Sequence, residues 1–113
     1  MHGSIEVKPV QVDFTDGVSI YPKLREELEE VDVGVLVNNV GMTMDFDQPF
    51  HRLKSEKQIQ DVINCNCMSL ARMLHIVLPG MVKRRRGIVM NVGSMASAKF
   101  LPVSTAYGAA KVE

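Results

Sequence analysis

Apolar residues in this chain fall into short continuous runs separated by longer stretches with helical spacing. Val10, Val12 and Phe14 alternate with polar neighbours, which predicts a short strand over Pro9–Phe14. Asp16-Gly17 marks a turn, and Ile20, Leu24 and Leu28 then recur at helical spacing, predicting a helix over Ser19–Glu30 with a solvated acidic end. Val33–Val37 is a continuous apolar run closed by Asn38-Asn39 and Gly41, the pattern of a strand buried on both faces of a parallel sheet. After a loop through Asp45–Arg52, Ser55 and Gln58 have the form of a capping box. The long helix they open carries Ile59, Val62, Ile63, Asn66, Leu70, Met73, Val77 and Met81 along one stripe. Cations at Lys83–Arg86 suit the negative end of that helix, and Gly87 suits a left-handed residue beyond it. Ile88–Val92 is the next apolar strand, and Ser104–Glu113 reads as a helix that has just begun.

Strand–helix–strand units with crossovers of this length predict an α/β fold with a partial Rossmann-type, doubly wound parallel sheet. In such sheets ligands lie beyond the carboxyl ends of the strands, which places Asp13, Asn38–Gly41 and Val92–Ser94 along one rim. The chain opens on a strand with no earlier partner and stops inside a helix, so the expectation is an internal fragment, residues 1–113 forming the central part of one dinucleotide-binding domain.

Composition narrows the partners. Of 113 residues 46% are hydrophobic, and thirteen basic residues balance thirteen acidic ones. A packed core is feasible, and no global field collects nucleic acid or an anionic membrane surface. No stretch approaches 18 consecutive apolar residues, so no membrane contact is expected from this segment. Cys65 and Cys67 have no matching Cys or His pair, which argues for a reducing, intracellular setting with neither a metal site nor a disulfide framework. The eight methionines suit core and substrate-side gaps rather than a metal.

Candidate chemistry gathers late in the chain. Tyr107 and Lys111 lie four residues apart, so a helix puts phenol and ammonium on one face, and a fixed cation favours the phenolate for acid/base work. Alone the pair is a weak motif, with about 0.1 such spacings expected by chance. Ser94 stands at the carboxyl end of the strand Ile88–Val92, thirteen residues before Tyr107, where its hydroxyl and the phenol could bracket a carbonyl. Ser97 competes with it, and a serine after a strand is also a common helix cap. Asn66 is the polar intruder on the buried stripe and needs partners there; Asn64 falls off the stripe and reads as solvated. Asp13 could simply start a turn before Thr15-Asp16-Gly17.

Asn38-Asn39-Val40-Gly41, Val62-Ile-Asn-Cys-Asn66, Leu78-Pro-Gly-Met81, Gly87-Ile-Val-Met-Asn-Val-Gly-Ser94 and Tyr107-Gly-Ala-Ala-Lys111 resemble, in order and spacing, the short-chain dehydrogenase/reductase family. The wording Val33–Met42 looks most like the branch holding very-long-chain 3-oxoacyl-CoA reductases and 17-beta-hydroxysteroid dehydrogenases.

The resemblance implies an oxidoreductase of lipid or steroid metabolism, including fatty acid elongation, that reduces a 3-oxoacyl-CoA or a steroid ketone. It implies NADP as cofactor with NAD as the alternative, and a place at the endoplasmic reticulum membrane. On matching positions Tyr107 would protonate the substrate oxygen and Lys111 would lower its pKa and bind the nicotinamide ribose. Ser94 would polarise the carbonyl and Asn66 would hold a water feeding a proton relay. Asp13 would contact adenine, and Asn38, Val40 and Gly41 would line the adenosine side, Gly41 because backbone approaches closely there. Gly93 departs from the family, which commonly has serine there. The Gly-rich phosphate turn of the first strand–helix unit and the C-terminal substrate region are not in these residues. The other class of reading is therefore a catalytically inactive fragment or relative acting as a binding or structural module. The long helix could also serve a homo-oligomer.

Overall fold

The computed structural model describes residues 3–44, 49–53, 55–95 and 105–111. A 3-10 helix over Phe14–Ile20 leads into α1, Tyr21–Leu28, and strand β1 follows at Val35–Asn38. A long helix is built of α2, Glu56–Ile63, a π-helical turn over Asn64–Met68, and α3, Ser69–Arg84. Strand β2 spans Ile88–Asn91 and α4 spans Thr105–Ala110. β1 and β2 pair in parallel, Val35 opposite Ile88 through Asn38 opposite Asn91, with the long helix as the crossover. This is a partial Rossmann-type α/β fold.

Helix α3 is the spine. Its Val77 and Met81 pack on Leu36 of β1, while Met73 and Ile76 also reach the cluster formed by Ile20, Tyr21 and Leu24. Arg84 ties the helix end to the approach of β1, donating to Asp32 Oδ1 at 3.0 Å and Val33 O at 2.8 Å. By length and composition the 29-residue Glu56–Arg84 helix could cross a membrane, with a mean hydropathy of 1.3 in its most apolar window. Here it packs as a core helix on α1 and the sheet.

Several sequence expectations need correcting. Pro9–Asp13 forms no strand: no neighbouring strand in the described residues offers it a ladder, and it is held against α1 by Lys23 donating to Gln11 O and by the Lys8–Glu27 ion pair. Val10, Val12 and Phe14 still pack on the Ile20 cluster. Among the described residues the strands are covered on one face only. Leu36 and Val89 meet α3, whereas Val35, Val37, Ile88 and Met90 are 52–59% exposed. Along the long helix Val62 and Asn66 are buried, whereas Ile63, expected on the same stripe, is 41% exposed. Ser55 occupies the N-cap position of α2 without a side-chain cap bond. Arg85, not Gly87, takes the left-handed conformation at φ 55°. Gly87 is small for another reason: a Cβ there would sit 2.5 Å from Met81 Cγ and Sδ. Ser97 lies outside the described residues.

Candidate active site

The rim beyond the strand ends is assembled from four elements. Past β1 the backbone turns through Asn39, Val40, Gly41 and Met42, and the π turn below carries Asn66, which is 2% exposed. The Asn66 amide is committed at both ends: Oδ1 accepts from Met42 N at 2.8 Å, and Nδ2 donates to Met42 O at 2.9 Å. The polar intruder on the apolar stripe is therefore a clamp that fixes the loop after β1, satisfying two main-chain groups at once.

Lys111 follows α4 and is 5% exposed. Its main-chain N–H bonds Tyr107 O at 3.1 Å and Gly108 O at 3.2 Å, so phenol and ammonium stand one helical turn apart, with Tyr107 half-buried. Its Nζ donates to Val92 O at 3.2 Å, which brings the ammonium to the end of β2, two residues before Ser94. A buried ammonium needs such partners. Gly41 completes the arrangement: a Cβ there would lie 3.2 Å from Lys111 Nζ and 3.6 Å from Asn66 Oδ1. The close approach at Gly41 is thus to Lys111.

The remaining residues sit around this centre. Asn38 pairs with Asn91, its Nδ2 donating to Asn91 Oδ1 at 2.9 Å. Val40 is 38% exposed at the open edge, and Ser94 is half-buried. Asp13 is exposed and caps the 3-10 helix, accepting from Thr15 N at 2.9 Å and Thr15 Oγ1 at 2.7 Å. Those bonds, the hydroxyl's foremost, hold its carboxyl below the ordinary carboxylate value. The structure therefore joins Gly41, Asn66, Tyr107 and Lys111 to the β2 end that bears Ser94, with Asn38 on the neighbouring strand and Asp13 farther along the rim in a turn-forming role. Asn64 is not solvated: its Nδ2 donates to Thr15 O at 3.2 Å and its Oδ1 accepts from Gln60 at 3.0 Å.

A cavity of about 110 Å³ lies behind the rim, lined by Phe14, Asn38, Asn66, Ser69, Met73 and Lys111 among others. It is large enough for water. Burial pushes the neighbouring Cys65 thiol upward, leaving it poorly nucleophilic. Among the described residues no group of three or more His, Cys, Asp or Glu could hold a metal. Sequence reasoning missed Asn91 and the Val92 carbonyl. Asn91 did carry a signal, as the polar residue in an otherwise apolar strand.

Comparison with known proteins identifies the family. The short chain dehydrogenase family model matches residues 2–112, and the chain belongs to that family. It is 43% identical over 110 residues to 17-beta-hydroxysteroid dehydrogenase type 3 of Danio rerio, covering 95% of this chain and 35% of the relative. It is 38% identical over 108 residues to the very-long-chain 3-oxoacyl-CoA reductase of Anas platyrhynchos, with the same coverage. It is also 40% identical over 107 residues to the inactive hydroxysteroid dehydrogenase-like protein 1 of Homo sapiens, covering 95% of this chain and 32% of that protein. A solved serine dehydrogenase complexed with NADP+ superposes with a TM-score of 0.78 at 30% identity, over 90% of this chain and 41% of that one. The chain spans about a third of the length of the curated relatives it matches.

Proposed function

We propose that the whole protein is a carbonyl reductase that takes a lipid ketone, a 3-oxoacyl-CoA or a steroid, to the alcohol. The observation that carries this reading is the placement of Lys111: a buried ammonium one turn from Tyr107, docked on the strand end that leads to Ser94. The donor set fits a nicotinamide nucleotide. Lys111 and Tyr107 would hold ribose hydroxyls, and the open edge at Asn38, Val40 and Gly41, with Asp13 beyond it, would line the adenosine side. NADP is the proposed form, supported by the branch resemblance and by the NADP+ complex of the serine dehydrogenase, with NAD as the alternative.

The chemistry a bound reduced nicotinamide supplies is hydride to the carbonyl carbon. The chain's own residues handle the charge this leaves on oxygen. Ser94 Oγ donates a hydrogen bond to that oxygen, and Tyr107 transfers its phenolic proton to it. The Lys111 ammonium stands one helical turn from the phenol that gives up this proton. Asn66 acts through Met42, holding the Gly41 loop against the ammonium, with the cavity beside it as the place for a relay water. Lipid substrates, a role in fatty acid elongation or steroid metabolism and an endoplasmic reticulum location rest on the branch resemblance and the relatives' names. Leu78 and Val82 of α3, 39% and 71% exposed, are available to a homo-oligomer contact.

Ketone reduction by the whole protein tests the reading. Tyr107→Phe should lower kcat by about 10²–10⁴-fold, while NADPH affinity, followed by its fluorescence on binding, falls by no more than the about tenfold that one lost hydroxyl contact allows. An unchanged rate removes Tyr107 from the mechanism. The 40% identity to an inactive hydroxysteroid dehydrogenase-like protein supports a second reading, a non-catalytic binding module. NADPH binding without turnover of 3-oxoacyl-CoA or steroid ketones by the wild type would favour it.

A further inference from the structure

Asn38 and Asn91 are direct partners in the parallel register. By strand alternation they share the face of Leu36 and Val89, so two amides end a face that is otherwise apolar. They satisfy one another through the 2.9 Å bond from Asn38 Nδ2 to Asn91 Oδ1. One further backbone rung follows, Val92 N to Asn38 O at 3.0 Å, and the Val92 carbonyl then receives Lys111. Gly93 comes next, with open space where a Cβ would stand. On the approach to Ser94 the end of β2 is therefore held by the exposed Asn38–Asn91 pair, the Val92–Asn38 rung and the Lys111 bond to Val92 O.

We propose that Asn91 is a positioning residue for Ser94: through Asn38 it locks the end of β2 to β1, and so sets where the hydroxyl stands relative to Lys111 and Tyr107. The inference rests on the carbonyl-reductase reading. It gives Asn91 a role that neither strand propensity nor cofactor contact supplies.

The test is a double-mutant cycle on ketone reduction by the whole protein, run beside Tyr107→Phe. Asn91→Leu removes the acceptor and should lower kcat about tenfold, as expected for a displaced catalytic group, with the NADPH dissociation constant within twofold of wild type. Asn91→Asp keeps an oxygen acceptor and should retain kcat within about threefold. In a Ser94→Ala background Asn91→Leu should cost nothing further, because the group it positions is gone. Side-chain amide exchange of Asn38, read by NMR, should accelerate in Asn91→Leu. If Asn91→Leu fails to fold, Asn91→Ser, too short to reach Asn38, replaces it. Full activity of Asn91→Leu, or the same tenfold loss with and without Ser94, overturns the proposal. A fully active Tyr107→Phe instead overturns the reductase reading on which it rests.

Discussion

The two faces of the short sheet are made of the same residue types and have opposite fates. Leu36, 8% exposed, and Val89 lie under Val77 and Met81 of α3, while Val35, Val37, Ile88 and Met90 stay more than half exposed. A continuous apolar run in a sequence records that both faces are suited to burial; it does not say which elements within the same 113 residues will cover them. Energy should follow the cover. Leu36→Ala should destabilise the chain by about 2–5 kcal/mol, measured by urea titration, because it empties a packed site. Gly87→Ala should cost about 1–3 kcal/mol by forcing Met81 off its position. On the bare face Val37→Thr should change stability by no more than about 0.5 kcal/mol. A Val37→Thr loss as large as that of Leu36→Ala would show that the face is covered in solution.

The helical layer was the most legible part of the sequence, because amphipathic spacing records packing against one neighbour. Ile20, Leu24, Val62, Val77 and Met81 are buried as their spacing predicts. The expected strand at Pro9–Phe14 failed because a strand exists only by pairing, and alternation at Val10, Val12 and Phe14 says nothing of the partner. The π turn was invisible for a similar reason: a local change of helical register leaves no composition signature at Asn64–Met68. At the site, the Tyr107 and Lys111 spacing survives as one helical turn, and Asn66 is found on backbone partners as its burial demanded. What the sequence could not reveal was the role of Gly41, which depends on a lysine seventy positions later in the chain.

The rim offers smaller contrasts. Asn66→Ala leaves Met42 N–H and C=O without their partners and should cost about 1–3 kcal/mol, whereas Asn64→Ala, a half-buried site tied to Thr15 and Gln60, should cost less in the same titration. The smallest effect belongs to Asp13. Its carboxyl is held below the ordinary 3.8 by the Thr15 bonds, so its contribution is present above that value and disappears as pH falls through the lower folded-state pKa. Asp13→Ala should therefore lower the melting temperature at pH 7 slightly and leave it equal to wild type in strong acid. A difference that persists in acid would assign the loss to something other than the charged cap.

The central claim, that Lys111, Tyr107 and Ser94 meet at the strand ends to reduce a carbonyl, is tested most directly by isotope transfer. NADPH carrying deuterium at its transferable position is mixed with the whole protein and a 3-oxoacyl-CoA or steroid ketone. The account predicts one deuterium at the former carbonyl carbon of the alcohol from the wild type, and at least about a hundredfold less labelled product from Lys111→Met. Equal labelling by both proteins, or alcohol formed without deuterium, would contradict it.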